Sequence, residues 1–190
     1  MKLKSTYFQQ EDVVFLAKDL IGKTLITEID GIKTGGIITE TEAYSEIEKG
    51  CHAYNKRKTN RTQIMFEEGG AAYVYLCYGM YYLFNIVTGK KDTAQAVLIR
   101  AIQPTIGIAE ILKRRNKTSV SKQLCNGPGK VCQALAINKA HYGISLNENT
   151  IWIEKSRLNK GEQTILTTPR IGIDYAGDDK YLPWRFVLTI

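Results

Sequence analysis

Between Gly69 and Ile102 the chain carries closely spaced runs of aromatic and β-branched residues, and they constrain the fold more than any other feature. Tyr73–Cys77 and Tyr81–Val87 read as strands joined near Gly79-Met80, and Gln95–Ile102 reads as a third that stops before Pro104. Thr24–Ile29 and Ile37–Glu42 read as another pair, with Asp30-Gly31 as the hairpin turn between them. Thr150–Glu154, Gln163–Thr167 and Arg185–Ile190 are also strand-like. Hairpin connections therefore dominate over strand–helix alternation. That pattern predicts an α+β fold: a curved, mostly antiparallel β-sheet with helices packed around it. Helices are expected over Gln10–Ile21, where Val13, Leu16, Ala17, Leu20 and Ile21 recur at helical spacing before Gly22, and over Thr105–Arg115. Asn126-Gly127-Pro128-Gly129 should open another, Lys130–Ile137.

At 190 residues, with no internal repeat or linker, one domain spanning 1–190 is expected. The opening MKLKSTYFQQEDVV has no apolar run to serve as a signal, and no stretch approaches the roughly 18 apolar residues of a membrane span. A cytoplasmic protein follows. Cys51, Cys77, Cys125 and Cys132 form no Cys-x-x-Cys pair, and the only histidines are His52 and His141. No metal site is expected, and the thiols should be reduced.

The net charge of +7 is segregated. Lys49–Phe66 holds five bases and no acid; Ile111–Asn147 holds seven bases and no acid. A surface facing a polyanion looks like this, although a solubilising lysine-rich face accounts for the charge equally well on its own.

Glu40 and Glu42 are two apart on a strand and should share a face, where two like charges can raise one pKa and make a general base. Spacing alone also fits two solvated edge carboxylates. Tyr44 and His52 flank them and can sandwich a flat heterocycle, while an isolated loop histidine is commonly just surface. Tyr73 and Tyr75 share a face by parity and can offer a stacking platform; Tyr78 falls at a turn, placed to wedge into a duplex. Ordinary β-sheet packing explains the same tyrosines. Asn85, among apolar neighbours, can read a purine edge or satisfy backbone. Arg100 lies in an apolar run and requires a partner, such as Glu40. Basic loop, aromatics and carboxylate together leave three readings: a nucleic-acid enzyme, a non-catalytic binding module, and a hydrolase of free nucleosides.

The chain resembles the alkyladenine (3-methyladenine) DNA glycosylase family in its single-domain bacterial form. The resemblance is carried by ETEAY (Glu40–Tyr44), His52, TNRTQIMF (Thr59–Phe66), AYVYLCYGMYYLFNIV (Ala72–Val87), VLIRAIQP (Val97–Pro104), LCNGPGKVCQALAI (Leu124–Ile137) and RIGIDYAG (Arg170–Gly177), in that order along nearly the whole chain. It implies a monofunctional glycosylase that flips alkylated or deaminated purines out of duplex DNA and leaves an abasic site. By resemblance, Glu42 activates the water and Arg100 helps hold it. Tyr44 stacks on one side of the base, His52 and Tyr75 on the other, and Asn85 and Leu98 complete the pocket. Tyr78 fills the gap in the DNA, with Met80 beside it. The resemblance implies no cofactor and no metal, double-stranded DNA carrying damaged purines as partner, no membrane, a monomer, and a place at the nucleoid. Asn60 stands where the family usually has proline, and the Tyr44-to-His52 loop is shorter than in mammalian members.

Overall fold

The computed structural model describes residues 1–155 and 164–189. Its strands are β1 (Thr24–Ile29), β2 (Ile32–Ser45), β3 (Ala72–Cys77), β4 (Tyr81–Val87), β5 (Gln95–Ile106), β6 (Ile151–Glu154), β7 (Thr164–Thr168) and β8 (Arg185–Thr189). They form one sheet in the order β3-β4-β5-β2-β1-β6, and β8 pairs with both β2 and β7. Each of these pairings is antiparallel, so the α+β expectation holds. Gln163 and Ile190, expected at two strand ends, lie outside the described residues.

The spine is β2. Its first half pairs with β1 across Asp30-Gly31, whose φ values of 53° and 72° are the twist a two-residue hairpin requires. Beyond that, Glu40–Glu42 pair with β8, and the other edge of the strand pairs with β5. The expected strand Ile37–Glu42 is therefore only the middle of a longer one. The register between β2 and β5 shifts at Ile38/Glu40 and again at Glu40/Thr41. Strand side chains alternate, so an irregularity of this kind exchanges which parity faces the core. Accordingly Ile38 and Ala43, of opposite parity, lie in one core, as do Ile99 and Ile102 on β5.

Pro104 does not end β5, which continues to Ile106. Proline lacks the N–H that a regular ladder uses, but this one sits opposite Gly36 beside another register shift, where that loss is tolerated. The glycine is needed: a Cβ on Gly36 would lie 2.3 Å from the Gln103 carbonyl oxygen.

The helices are α1 (Ser5–Phe8), which the sequence pattern did not suggest, α2 (Val13–Asp19), α3 (Ile108–Arg114) and α4 (Pro128–Ala134). The start of α2 is Val13 rather than Gln10, because the Asp12 carboxylate accepts the Phe15 N–H at 2.8 Å and caps it. Helix α3 waits until Ile108, after Gly107 at φ 65°. Helix α4 begins two residues before expected, with Pro128 in the first turn, where its missing N–H does no harm. Leu16, Leu25, Phe84, Ile86, Val97, Ile99, Val131 and Leu135 are fully buried in the main core. Each such side chain contributes about 1.5–3 kcal/mol. A smaller cluster, including Cys51, Ala53, Met65, Phe66, Tyr73 and Ala96, packs together separately. Within the acid-free window Lys49–Phe66, Cys51 and Ala53 are buried, while Lys56, Arg57 and Lys58 are exposed. All four cysteines are free thiols.

Candidate active site

Strand parity builds the site. On β3, β4 and β5 the residues Ala72, Val74, Phe84, Ile86, Val97 and Ile99 enter the main core. Their alternates Tyr73, Tyr75, Cys77, Leu83, Asn85, Ala96, Leu98 and Arg100 line a cavity of about 630 Å³, a size ordinary for a small-molecule site. Tyr44, His52, Arg61 and Tyr78 line it as well, as do Arg115, the Gly127–Lys130 turn and Ile171–Ile173. Both acid-free windows therefore reach one mouth, through Arg61 from the first and Arg115 and Lys130 from the second.

Glu42 is fully buried and stands behind this wall. Its Oε1 accepts the Ile171 N–H at 2.8 Å; its Oε2 accepts the Tyr44 hydroxyl at 2.8 Å and Arg100 Nη1 at 3.1 Å. All three donors are cavity-lining residues. A carboxylate has about four acceptor directions, so one is left for a further donor such as water. Glu40 does not confront Glu42 as a bare like charge. Arg100 bonds both, with Nε 2.9 Å from Glu40 Oε1, and Arg185 Nε reaches the same oxygen at 2.6 Å. Burial opposes the Arg100 cation, but Glu42 and Glu40 outweigh it and its pKa is raised. Burial and then the Glu42 charge push the Tyr44 hydroxyl well above its ordinary value, so it stays a donor.

His52 and Tyr75 meet edge to face, with ring centroids 4.8 Å apart. Tyr73 is buried and acts from beneath: its hydroxyl lies 2.9 Å from His52 Nδ1. The expected platform of two tyrosines is thus one half-buried wall, Tyr75, with Tyr73 as its support. Arg61 Nη2 lies 3.0 Å from His52 Nε2, and a guanidinium can only donate. Burial and then Arg61 pull the His52 pKa down to about 4. An unfolded histidine takes up its proton near 6.5, so between pH 6.5 and 4 protonation favours the unfolded chain. Stability from this site is complete above about pH 6.5 and lost as pH falls toward 4. Replacing His52 by Asn should flatten that part of the stability–pH curve in denaturant titrations; an unchanged curve would show that His52 is not its source.

Asn85 is buried, and its amide donates to the Tyr73 carbonyl at 3.1 Å. Leu98 lies between Asn85 and Glu42 in register on β5. Tyr78 is 84% exposed at the tip of the β3–β4 hairpin with φ 50°, an uncommon conformation for a bulky side chain. Met80, also exposed, does not line the main cavity. It borders a smaller hollow of about 270 Å³ with Tyr81, Tyr82 and Cys132.

The methylpurine-DNA glycosylase profile matches residues 7–189. The chain belongs to that family. A methylpurine-DNA glycosylase is a hydrolase of N-glycosyl bonds with DNA as substrate. A Chlamydia felis protein is 50% identical over 190 residues, covering 99% of this chain and 96% of the relative. A Bacillus cereus protein is 47% identical over 188 residues, covering 94% and 92%. Both are named "Putative 3-methyladenine DNA glycosylase". In this glycosylase, three site features lay outside sequence reasoning. Arg61 was visible only as charge. The Ile171 N–H is backbone and has no signature. Arg170 is fully buried, forks onto Glu48 with two contacts of 2.7 Å, and lies 4.8 Å from the Tyr44 ring centre. No helix among the described residues is long and apolar enough to cross a membrane.

Proposed function

We propose that this glycosylase extrudes alkylated or deaminated purines, of the 3-methyladenine, hypoxanthine and ethenoadenine type, from duplex DNA and hydrolyses their N-glycosidic bond. The observation that carries the proposal is Glu42: a buried carboxylate gripped by three donors that all belong to the wall of an aromatic, basic-rimmed cavity. The bond that breaks joins C1′ of deoxyribose to a purine nitrogen, through an oxocarbenium-like transition state. Glu42 takes a proton from water, which attacks C1′ as the purine leaves with the electron pair of the broken bond, and its charge stabilises the developing cation; a cationic purine departs neutral, and a neutral one takes up a proton from solvent. Arg100 and Tyr44 fix the carboxylate. The base stacks between Tyr44 and the His52–Tyr75 wall, over Leu98, with the Asn85 amide disfavouring a guanine amine. Tyr78 occupies the gap in the helix, and Met80 flanks it. Water is the nucleophile, so the enzyme is monofunctional and leaves an abasic site. Every group named comes from one chain, so a single-domain monomer suffices for the chemistry, and a duplex DNA substrate would bring it to the nucleoid.

Duplex oligonucleotides carrying one lesion each, treated with the protein and then with alkali, test this. Strand breaks at the lesions are expected, while equal release from free nucleosides would favour a nucleoside hydrolase instead. In the same assay Tyr78→Ser should slow release from duplex by about tenfold, since extrusion costs a few kcal/mol. Its thermal midpoint should not move, because the side chain touches solvent.

A further inference from the structure

Two tyrosines alone would attract a cationic base, and many methylated purines are cations. Here neither ring is alone. The Arg170 guanidinium lies 4.8 Å from the centre of Tyr44, and the Arg61 guanidinium lies 4.4 Å from the centre of Tyr75. Each ring therefore already carries a cation before any base arrives. The two arginines differ in what balances them. Arg170 is neutralised by the two-pronged contact with Glu48. Arg100, on the same wall, is balanced by Glu40 and Glu42. Among the described residues Arg61 meets only uncharged groups: the His52 ring, the Tyr73 hydroxyl and the Tyr75 ring. His52 is itself kept neutral, so it adds no charge of its own. Arg115 and Lys130 at the rim are paired with no aromatic ring among the described residues.

The geometry points to Arg61 as a specificity-determining residue: its unbalanced charge against Tyr75 weakens the cavity's preference for cationic lesions and so keeps neutral ones competitive. The inference rests on the function proposed above and adds to it the charge class that the cavity selects. A neutral purine such as hypoxanthine loses nothing to Arg61 and retains stacking. A cationic purine such as 7-methylguanine meets a like charge about one ring away. At a protein-surface dielectric, and with screening by salt, a unit charge at that range corresponds to about five- to tenfold in relative rate.

The test compares kcat/KM for single 7-methylguanine and hypoxanthine lesions in otherwise identical duplexes, for the wild-type protein, Arg61→Gln and Arg61→Lys. Arg61→Gln should raise the 7-methylguanine-to-hypoxanthine ratio by about five- to tenfold. Arg61→Lys keeps the charge and loses the flat fork, so its ratio should stay near that of the wild-type protein. Reading a ratio cancels any general loss of DNA affinity. If both lesions lose rate equally in Arg61→Gln, Arg61 acts on the DNA backbone and the inference is overturned. If Arg61→Lys shifts the ratio as far as Arg61→Gln, shape rather than charge is responsible, which overturns it too. A wild-type protein that releases neither base would overturn the glycosylase reading of this cavity itself, and this inference with it.

Discussion

Glu42→Gln is expected to slow base release by about 10³-fold, within the range that a positioned general base contributes, while duplex binding stays close to that of the unmodified protein. The amide keeps the size of the side chain and can still accept the Ile171 N–H. It loses the negative charge that would take up the water proton and face the sugar cation. Its NH₂ must also point toward Tyr44 Oη or Arg100 Nη1, both donors in the present arrangement. Arg100 is not stranded by the change, because Glu40 still holds its Nε at 2.9 Å. The fold should therefore survive. In the proposed complex duplex binding falls to basic side chains at the cavity, such as Arg115 and Lys130, which the change leaves untouched. Single-turnover release from a duplex with one hypoxanthine reads the first quantity, and fluorescence anisotropy reads the second. Glu40→Gln in parallel separates the two carboxylates. It lies at the far end of Arg100 and against Arg185, so its loss should be the smaller one. Undiminished release by Glu42→Gln would remove this residue as the base.

Local chemistry made much of this legible in advance, and the failures share one physical origin. The strand Thr24–Ile29 and its Asp30-Gly31 turn are visible because alternation and positive φ are properties of neighbours in sequence. The tyrosine hairpin is visible for the same reason. Parity placed Tyr73 and Tyr75 on one face, whereas Asn85, Leu98 and Arg100 came to the pocket by resemblance alone, since only the cross-strand register shows which residues of β4 and β5 share that face. What escaped depends on partners far away in the chain. Pro104 read as a stop, since nothing local says that it faces Gly36 across a register shift. Arg100 read as needing a partner such as Glu40, and that pair forms; that the same guanidinium also bonds Glu42 and so stands between the two carboxylates is not revealed by spacing. His52 alone looked like a surface histidine; the Tyr73 hydroxyl and Arg61 that half bury it come from other segments. The Arg170–Glu48 pair joins residues 122 apart, and neither has a neighbour that would flag it.

That pair supports the second large expectation: Arg170→Met should lower stability by about 3–5 kcal/mol. Both side chains are buried, with exposures of 0% and 3%. Burial opposes the Arg170 cation, yet the Glu48 contacts outweigh it and its pKa is raised. The guanidinium also donates to the carbonyls of Ala43 and Asp179, at 3.0 and 3.1 Å, tying the C-terminal segment to the end of β2. Removing it leaves a buried carboxylate whose remaining partners among the described residues are the Gly50 N–H at 2.6 Å and, at longer range, the Ser45 N–H. For a chain of this length each kcal/mol moves the thermal midpoint by about 2–4 °C, so a fall of about 6–20 °C is expected. Replacing both partners, Arg170→Met with Glu48→Leu, should recover part of that loss, because no charge is then left unpaired. High salt should change the effect little, unlike at the exposed Lys33–Glu28 pair, since buried charges are poorly screened. Activity should fall further than stability alone accounts for. Ile171, whose N–H grips Glu42, is the next residue, and Tyr44 loses the cation packed against its ring. Differential scanning calorimetry on the three variants decides it: a shift under about 2 °C for Arg170→Met would mean that water or a neighbour replaces the guanidinium, and the clamp holding Ile171 against Glu42 would have to be sought elsewhere.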